Sequence, residues 1–116
     1  MRSDIAAKIK YSESAKKDLE AIGDYIADTL KSPTAAFNTV SKIQDAVDKL
    51  ADFPLIGTPL SSKVEIEMDY RFLVCGNYLV FYRTEGDSVF IDRVIYGRRD
   101  YIKILFSEAL ENGGEF

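Results

Sequence analysis

Residues 70–96 read YRFLVCGNYLVFYRTEGDSVFIDRVIY. Aromatic and β-branched residues dominate this stretch, the composition that a pleated sheet favours. Gly76-Asn77 and Glu85-Gly86 divide it into three runs, about residues 70–75, 78–84 and 88–96. Breaks this short join antiparallel neighbours as hairpins, so the stretch predicts a three-stranded antiparallel meander. With the two dipeptides as tips, Cys75 faces Tyr78 and Thr84 faces Asp87. Directly paired residues share a face and successive residues alternate. Phe72, Phe81 and Phe90 then form one row. Tyr70, Val74, Leu79, Val94 and Tyr96 share its face, with Arg83 and Asp92. The opposite face takes Arg71, Leu73, Cys75, Tyr78, Val80, Tyr82, Val89, Ile91, Arg93 and Ile95.

Upstream, residues 7–11 alternate apolar and charged, which predicts a short strand. Ser12 is placed to cap a helix, and Glu13 suits the helix dipole. Ala15, Leu19, Ile22, Ile26 and Leu30 make one apolar stripe, predicting a helix over about 13–30. Ser32 caps a restart at Pro33. Ala36, Val40, Ile43, Val47 and Leu50 carry a second helix over about 33–51, ended by Phe53-Pro54. The short break between the two predicts an antiparallel αα-hairpin. Residues 55–68, with Pro, Gly, Thr and Ser, read as a connecting loop.

The expected fold is therefore α+β: an N-terminal strand, an αα-hairpin, then the meander. Residues 1–106 form one domain, and 107–116 an acidic tail. The meander has two largely apolar faces, and one helical hairpin covers only one of them. Either loop 55–68 or the C-terminal segment covers the other, or that face is a protein-binding surface. Arg71 and Arg93, placed on the face opposite the Phe row, are expected to hold structural carboxylates such as Asp69 or Asp45.

Composition narrows the chemistry. The 116 residues suit one domain. The chain has no histidine, the side chain on which neutral-pH acid–base chemistry usually draws first. Zinc sites of the Cys/His type are excluded, and no cofactor or metal is expected. Cys75 is the single cysteine, expected to be a small buried hydrophobe. No long apolar stretch opens the chain, so no membrane contact is expected and the cytoplasm is the expected location. The net charge is −4, which argues against a general nucleic-acid binder. Residues 70–106 nevertheless hold 6 basic and 4 acidic groups, a local basic region.

Three segments together resemble the RelE/ParE toxins of type II toxin–antitoxin modules. They are Asp69-Tyr70-Arg71-Phe72, Gly76-Asn77-Tyr78-Leu79-Val80-Phe81-Tyr82-Arg83, and residues 91–101 from Ile91-Asp92-Arg93 to Gly97-Arg98-Arg99-Asp100-Tyr101. Phe53-Pro54-Leu55-Ile56-Gly57 resembles the segment after the second helix in ParE-like members. The resemblance covers about residues 8–106. It implies a growth-inhibiting toxin of an addiction or plasmid-stabilisation module, neutralised by a cognate antitoxin protein. ParE-like members bind and poison DNA gyrase. RelE-like members are metal-free endoribonucleases acting on ribosome-bound mRNA.

The ribonuclease branch carries lysines at the positions of Tyr70 and Phe72, arginines at those of Leu79 and Arg99, and a tyrosine at that of Leu105. Only Arg99 matches, so the resemblance favours the ParE-like branch. Under the enzyme alternative Arg98, Arg99 and Tyr101 would be catalytic; a third alternative is a non-toxic antitoxin-binding remnant. The Phe-row face, as the open one, implies a target- or antitoxin-binding surface of Tyr70, Phe72, Leu79, Phe81, Phe90, Tyr96, Arg98, Arg99 and Tyr101. A homodimer stays compatible with all three.

Overall fold

A computed structural model describes residues 6–60 and 70–97. Strand β1 (Lys8–Tyr11) runs into helix α1 (Glu13–Asp24), which widens into a π-helical turn at Tyr25–Thr29. Helix α2 (Pro33–Asp48) follows, tightening to a 3₁₀ turn at Lys49–Ala51. Strands β2 (Thr58–Pro59), β3 (Arg71–Cys75), β4 (Tyr78–Glu85) and β5 (Ser88–Tyr96) complete the chain's described part. The α+β class and the helix–helix–meander order stand as expected. Among the described residues the sheet has five strands in the order β1-β5-β4-β3-β2, with β1 parallel to β5. The short β2, inside what reads as a connecting loop, pairs antiparallel with β3.

Local chemistry explains the helix starts. Ser12 Oγ accepts the N–H of Ala15 (3.0 Å), and Ser32 Oγ that of Ala35 (3.3 Å). The first helix ends differently from a plain α-helix over 13–30. Leu30 donates its N–H to Tyr25 O (3.2 Å), and Lys31 turns left-handed with φ 56°. One face of the sheet packs on the hairpin. Ala15, Ile43, Val47 and Leu50 meet Val80, Tyr82, Val89, Ile91 and Val94, all buried. Each buried Val, Leu or Ile of this set contributes roughly 1.5–3 kcal/mol through its burial. Cys75 is half-buried at the margin of this cluster, less enclosed than expected.

The first hairpin is as predicted, with Cys75 opposite Tyr78 and Phe72 opposite Phe81. The second is not. Glu85 pairs with Ser88, so the tip is Gly86-Asp87, and Gly86 takes φ 59° at the first turn position. This is where a type II′ turn requires glycine. Tyr82 pairs with Ile91 but Phe81 with Arg93, leaving Asp92 as an extra residue in a β-bulge. A bulge reverses the alternation beyond it. Val94 consequently joins the helix-side core, while Ile95 joins Phe72 and Phe81. Tyr96 packs edge-on against Tyr78 (5.7 Å between ring centres), away from the Phe row. Phe90 lies opposite Arg83, so the three phenylalanines make a pair and an outlier.

Candidate functional site

The face opposite the helices is closed at its centre. Leu60, just beyond β2, is fully buried against Phe72, Phe81 and Ile95, and its N–H bonds to Tyr70 O (2.8 Å). Phe72 is 9% exposed and Phe81 0%. The expectation of an open apolar docking face through Phe72 and Phe81 is therefore corrected. The chain supplies its own cover there, as the first of the two alternatives for the second face had it. Tyr70 and Leu79 flank the cluster, half-buried. Arg98, Arg99 and Tyr101 lie outside the described residues, as do Asp69, Leu105 and the acidic segment 107–116.

Polar groups gather at one side of this face. Tyr70 donates its hydroxyl to Asp92 Oδ2 (3.1 Å). Burial first, then the Asp92 charge and this bond, push the Tyr70 pKa up to about 12. The Arg83 guanidinium lies 4.5 Å from the centre of the Phe90 ring, and Lys10 Nζ lies 5.5 Å from it. Both are at cation–π distance. Arg83 also pairs with Glu85 (2.9 Å). A phenol held this far above neutrality is a poor proton shuttle near pH 7.

The segment before β2 is locked from both sides. The N–H of Gly57 bonds to the buried Tyr82 Oη (2.9 Å), and Arg71 Nη1 donates to Gly57 O (2.8 Å) and Leu55 O (3.3 Å). Arg71 thus holds backbone carbonyls where a carboxylate was expected. Arg93 does hold a carboxylate, that of Asp18 on α1; Asp69 lies outside the described residues.

An open apolar groove lies elsewhere. It runs between the end of α1, the start of α2, the start of β4 and the end of β5, and encloses about 810 Å³. Ile22, Tyr25, Leu30, Tyr78 and Tyr96 line it, with Asp18 and Arg93 at its polar wall. Tyr25 and Leu30 are 54% and 56% exposed. The π-helical turn is what presents these two side chains; π turns recur at functional positions. Sequence periodicity placed Leu30 in a buried stripe, because it assumes a uniform 3.6-residue turn. Of the expected binding residues that lie among the described ones, only Tyr96 lines this groove.

The model of the ParE toxin of the type II toxin–antitoxin system parDE matches residues 9–101. The chain belongs to the ParE toxin family. This toxin is similar in structure to a chain of the chromosomal ParDE toxin–antitoxin system from P. aeruginosa, with 25% identity and a TM-score of 0.66, covering 78% of this chain and 96% of that one. It shares its fold with a chain of the RelBE2 toxin–antitoxin complex from Mycobacterium tuberculosis, at 17% identity and a TM-score of 0.55, covering 83% and 97%. No curated protein sequence matches it significantly. Among the described residues no helix is long and apolar enough to cross a membrane.

Proposed function

We propose that this toxin acts as ParE-like members do, by binding DNA gyrase, and that a cognate antitoxin neutralises it. One observation carries the choice of target. Two of the positions that hold cations in the ribonuclease branch, those of Phe72 and Leu79, belong to the apolar Leu60 cluster here. At a third of the four, Tyr70 donates its hydroxyl to Asp92, and only the fourth, Arg99, keeps its cation. Cleavage of RNA without metal needs a base, an acid and cations facing the phosphate. A buried phenylalanine supplies none of these, and a phenol with its pKa pushed up to about 12 supplies neither base nor cation at neutral pH.

The groove at Tyr25, Leu30 and Tyr96 is the seat of the antitoxin. Its apolar floor and exposed rim suit the apolar stripe of a partner helix. Membership in a toxin–antitoxin family and likeness to chains from two toxin–antitoxin systems support such a partner. The purified toxin is expected to block supercoiling by gyrase and to leave ribosome-bound mRNA intact. Cleavage of that mRNA with supercoiling unaffected reverses the assignment. Calorimetry with the antitoxin is expected to give nanomolar affinity, about −12 kcal/mol.

A further inference from the structure

Strand β1 is an outer strand of the sheet among the described residues. Its even-numbered amides turn inward: Lys8 N–H bonds to Asp87 O (2.8 Å), and Ser12 N–H to Ile91 O (2.9 Å). Backbone groups alternate in direction along a strand. The N–H and C=O of Ile9 and Tyr11 therefore point outward. Ala7 belongs to the same outward set, and its N–H is closed by Ala51 O (2.8 Å). Beyond that point no described strand continues the ladder on this side of β1.

The side chains of β1 divide by face. Lys8 and Lys10 are exposed, and Lys10 reaches over Phe90. Ile9 and Tyr11 are half-buried against the helix-side core. A strand laid beside β1 would set alternate side chains against these two sets. We propose that the β1 edge takes up an extended segment of a partner protein in which acidic residues alternate with apolar ones. The acidic set would meet Lys8 and Lys10; the apolar set would extend the burial of Ile9 and Tyr11. Strand addition of this kind draws affinity from the main chain and specificity from alternate side chains.

Charge decides against a second copy of the chain in this place. Antiparallel pairing of β1 with β1 would bring Lys8 and Lys10 against their own counterparts, and like charges directly opposite destabilise a sheet. Edge lysines are a common guard against such pairing. The same two lysines that repel a copy admit an acidic segment, so one device gives both exclusion and choice. Lys8 has a contact with Asp87 at 3.9 Å, with both side chains largely exposed, and gives it up at little cost. This inference is separate from the choice of gyrase as target, and it rests on the proposed antitoxin only for where such a segment is to be sought.

The test uses the full chain with two capped synthetic octapeptides, one alternating glutamate with valine and one alternating lysine with valine. Amide exchange at Ile9 and Tyr11 is followed by NMR. The glutamate peptide is expected to slow exchange at these two amides and to bind roughly tenfold more tightly than the lysine peptide. In a variant carrying Lys8→Glu and Lys10→Glu the preference is expected to reverse. Equal binding of both peptides, protection confined to other amides, or Ile9 and Tyr11 amides already as slow in the free chain as those of the core would each overturn the proposal. Growth inhibition by the toxin is not read in this experiment, so its outcome is independent of the target assignment.

Discussion

Asp18 of α1 holds Arg93 of β5 by two hydrogen bonds, to Nε at 2.7 Å and Nη2 at 2.9 Å, and takes the N–H of Val94 at 2.9 Å. The register of β1 on β5 stops at Tyr11 opposite Ile91. Past that point no described strand pairs with the outer edge of β5, and the Asp18 carboxylate accepts one of its amides. Ser12 joins the same corner by donating its hydroxyl to Asp92 O (2.7 Å) at the bulge. The start of α1 is thus fastened to the bulge in the sheet.

The pair is mostly buried, with side-chain exposures of 13% and 16%. Removing one partner of a buried pair leaves the other charge uncompensated, at about 3 kcal/mol or more. Asp18→Ala is expected to lower stability by about 3 kcal/mol in urea denaturation, and Arg93→Ala by somewhat less because Asp18 keeps its bond to Val94. The double variant is expected to cost clearly less than the sum of the two. Additive losses would mean that the pair contributes no coupling.

Gly57 gives a second test. A Cβ at this position would come within 2.6 Å of Tyr82 Oη and 2.9 Å of Phe72 O. Gly57→Ala must displace either the buried ring or strand β3, with an expected cost of roughly 1–3 kcal/mol. Tyr82→Phe instead leaves the Gly57 N–H without its partner, for about 1–3 kcal/mol. Thermal melts of the two variants are expected to fall well below wild type, whereas Gly86→Ala is expected to act only through its φ of 59°, since no atom lies within 4 Å.

Tyr70 and Tyr11 set the alkaline limit. Both pKa values are pushed from 10.0 up to about 12, with burial the largest cause in each, followed by Asp92 for Tyr70 and Asp48 for Tyr11. Between pH 10 and 12 the unfolded chain has lost these protons while the folded chain keeps them. Stability is therefore fully present below about pH 10 and is expected to decline as pH rises towards 12. Tyr70→Phe is expected to make the decline shallower. Denaturant midpoints measured from pH 8 to 11.5 check this, and a midpoint independent of pH above 10 would contradict it.

Much of the fold was legible because its signals are local. Ser12 and Ser32 cap the helices as their positions imply, the Ile43 and Val47 stripe is buried, and Gly76 makes its turn. What escaped depends on non-local competition. Nothing within Ile91-Asp92-Arg93 marks Asp92 as the bulged residue; that follows from what Ser12 and Asp18 offer across the β1–β5 corner. The tip moved to Gly86-Asp87 because glycine is needed first in that turn, and this shift separated Phe90 from Phe81. Leu60 was hidden within a polar segment, and it closes the face that pattern alone left undecided.

That closure changes what a substitution at Phe72 should do. On an open surface Phe72→Lys would leave stability nearly intact. In the Leu60 cluster it places a charge among Phe81 and Ile95, and is expected to lower stability by several kcal/mol. Growth inhibition lost with Phe72→Lys would then report unfolding rather than a lost contact. The informative changes lie at the groove. Tyr25→Glu and Leu30→Lys alter side chains more than half exposed, so their effect on stability is expected within about 0.5 kcal/mol. If an antitoxin helix occupies the groove, each places an uncompensated charge in the apolar contact, and affinity is expected to fall at least about tenfold, or 1.4 kcal/mol. Calorimetry beside a thermal melt of each variant separates the two effects. Full antitoxin affinity retained by both variants would remove the groove as its seat.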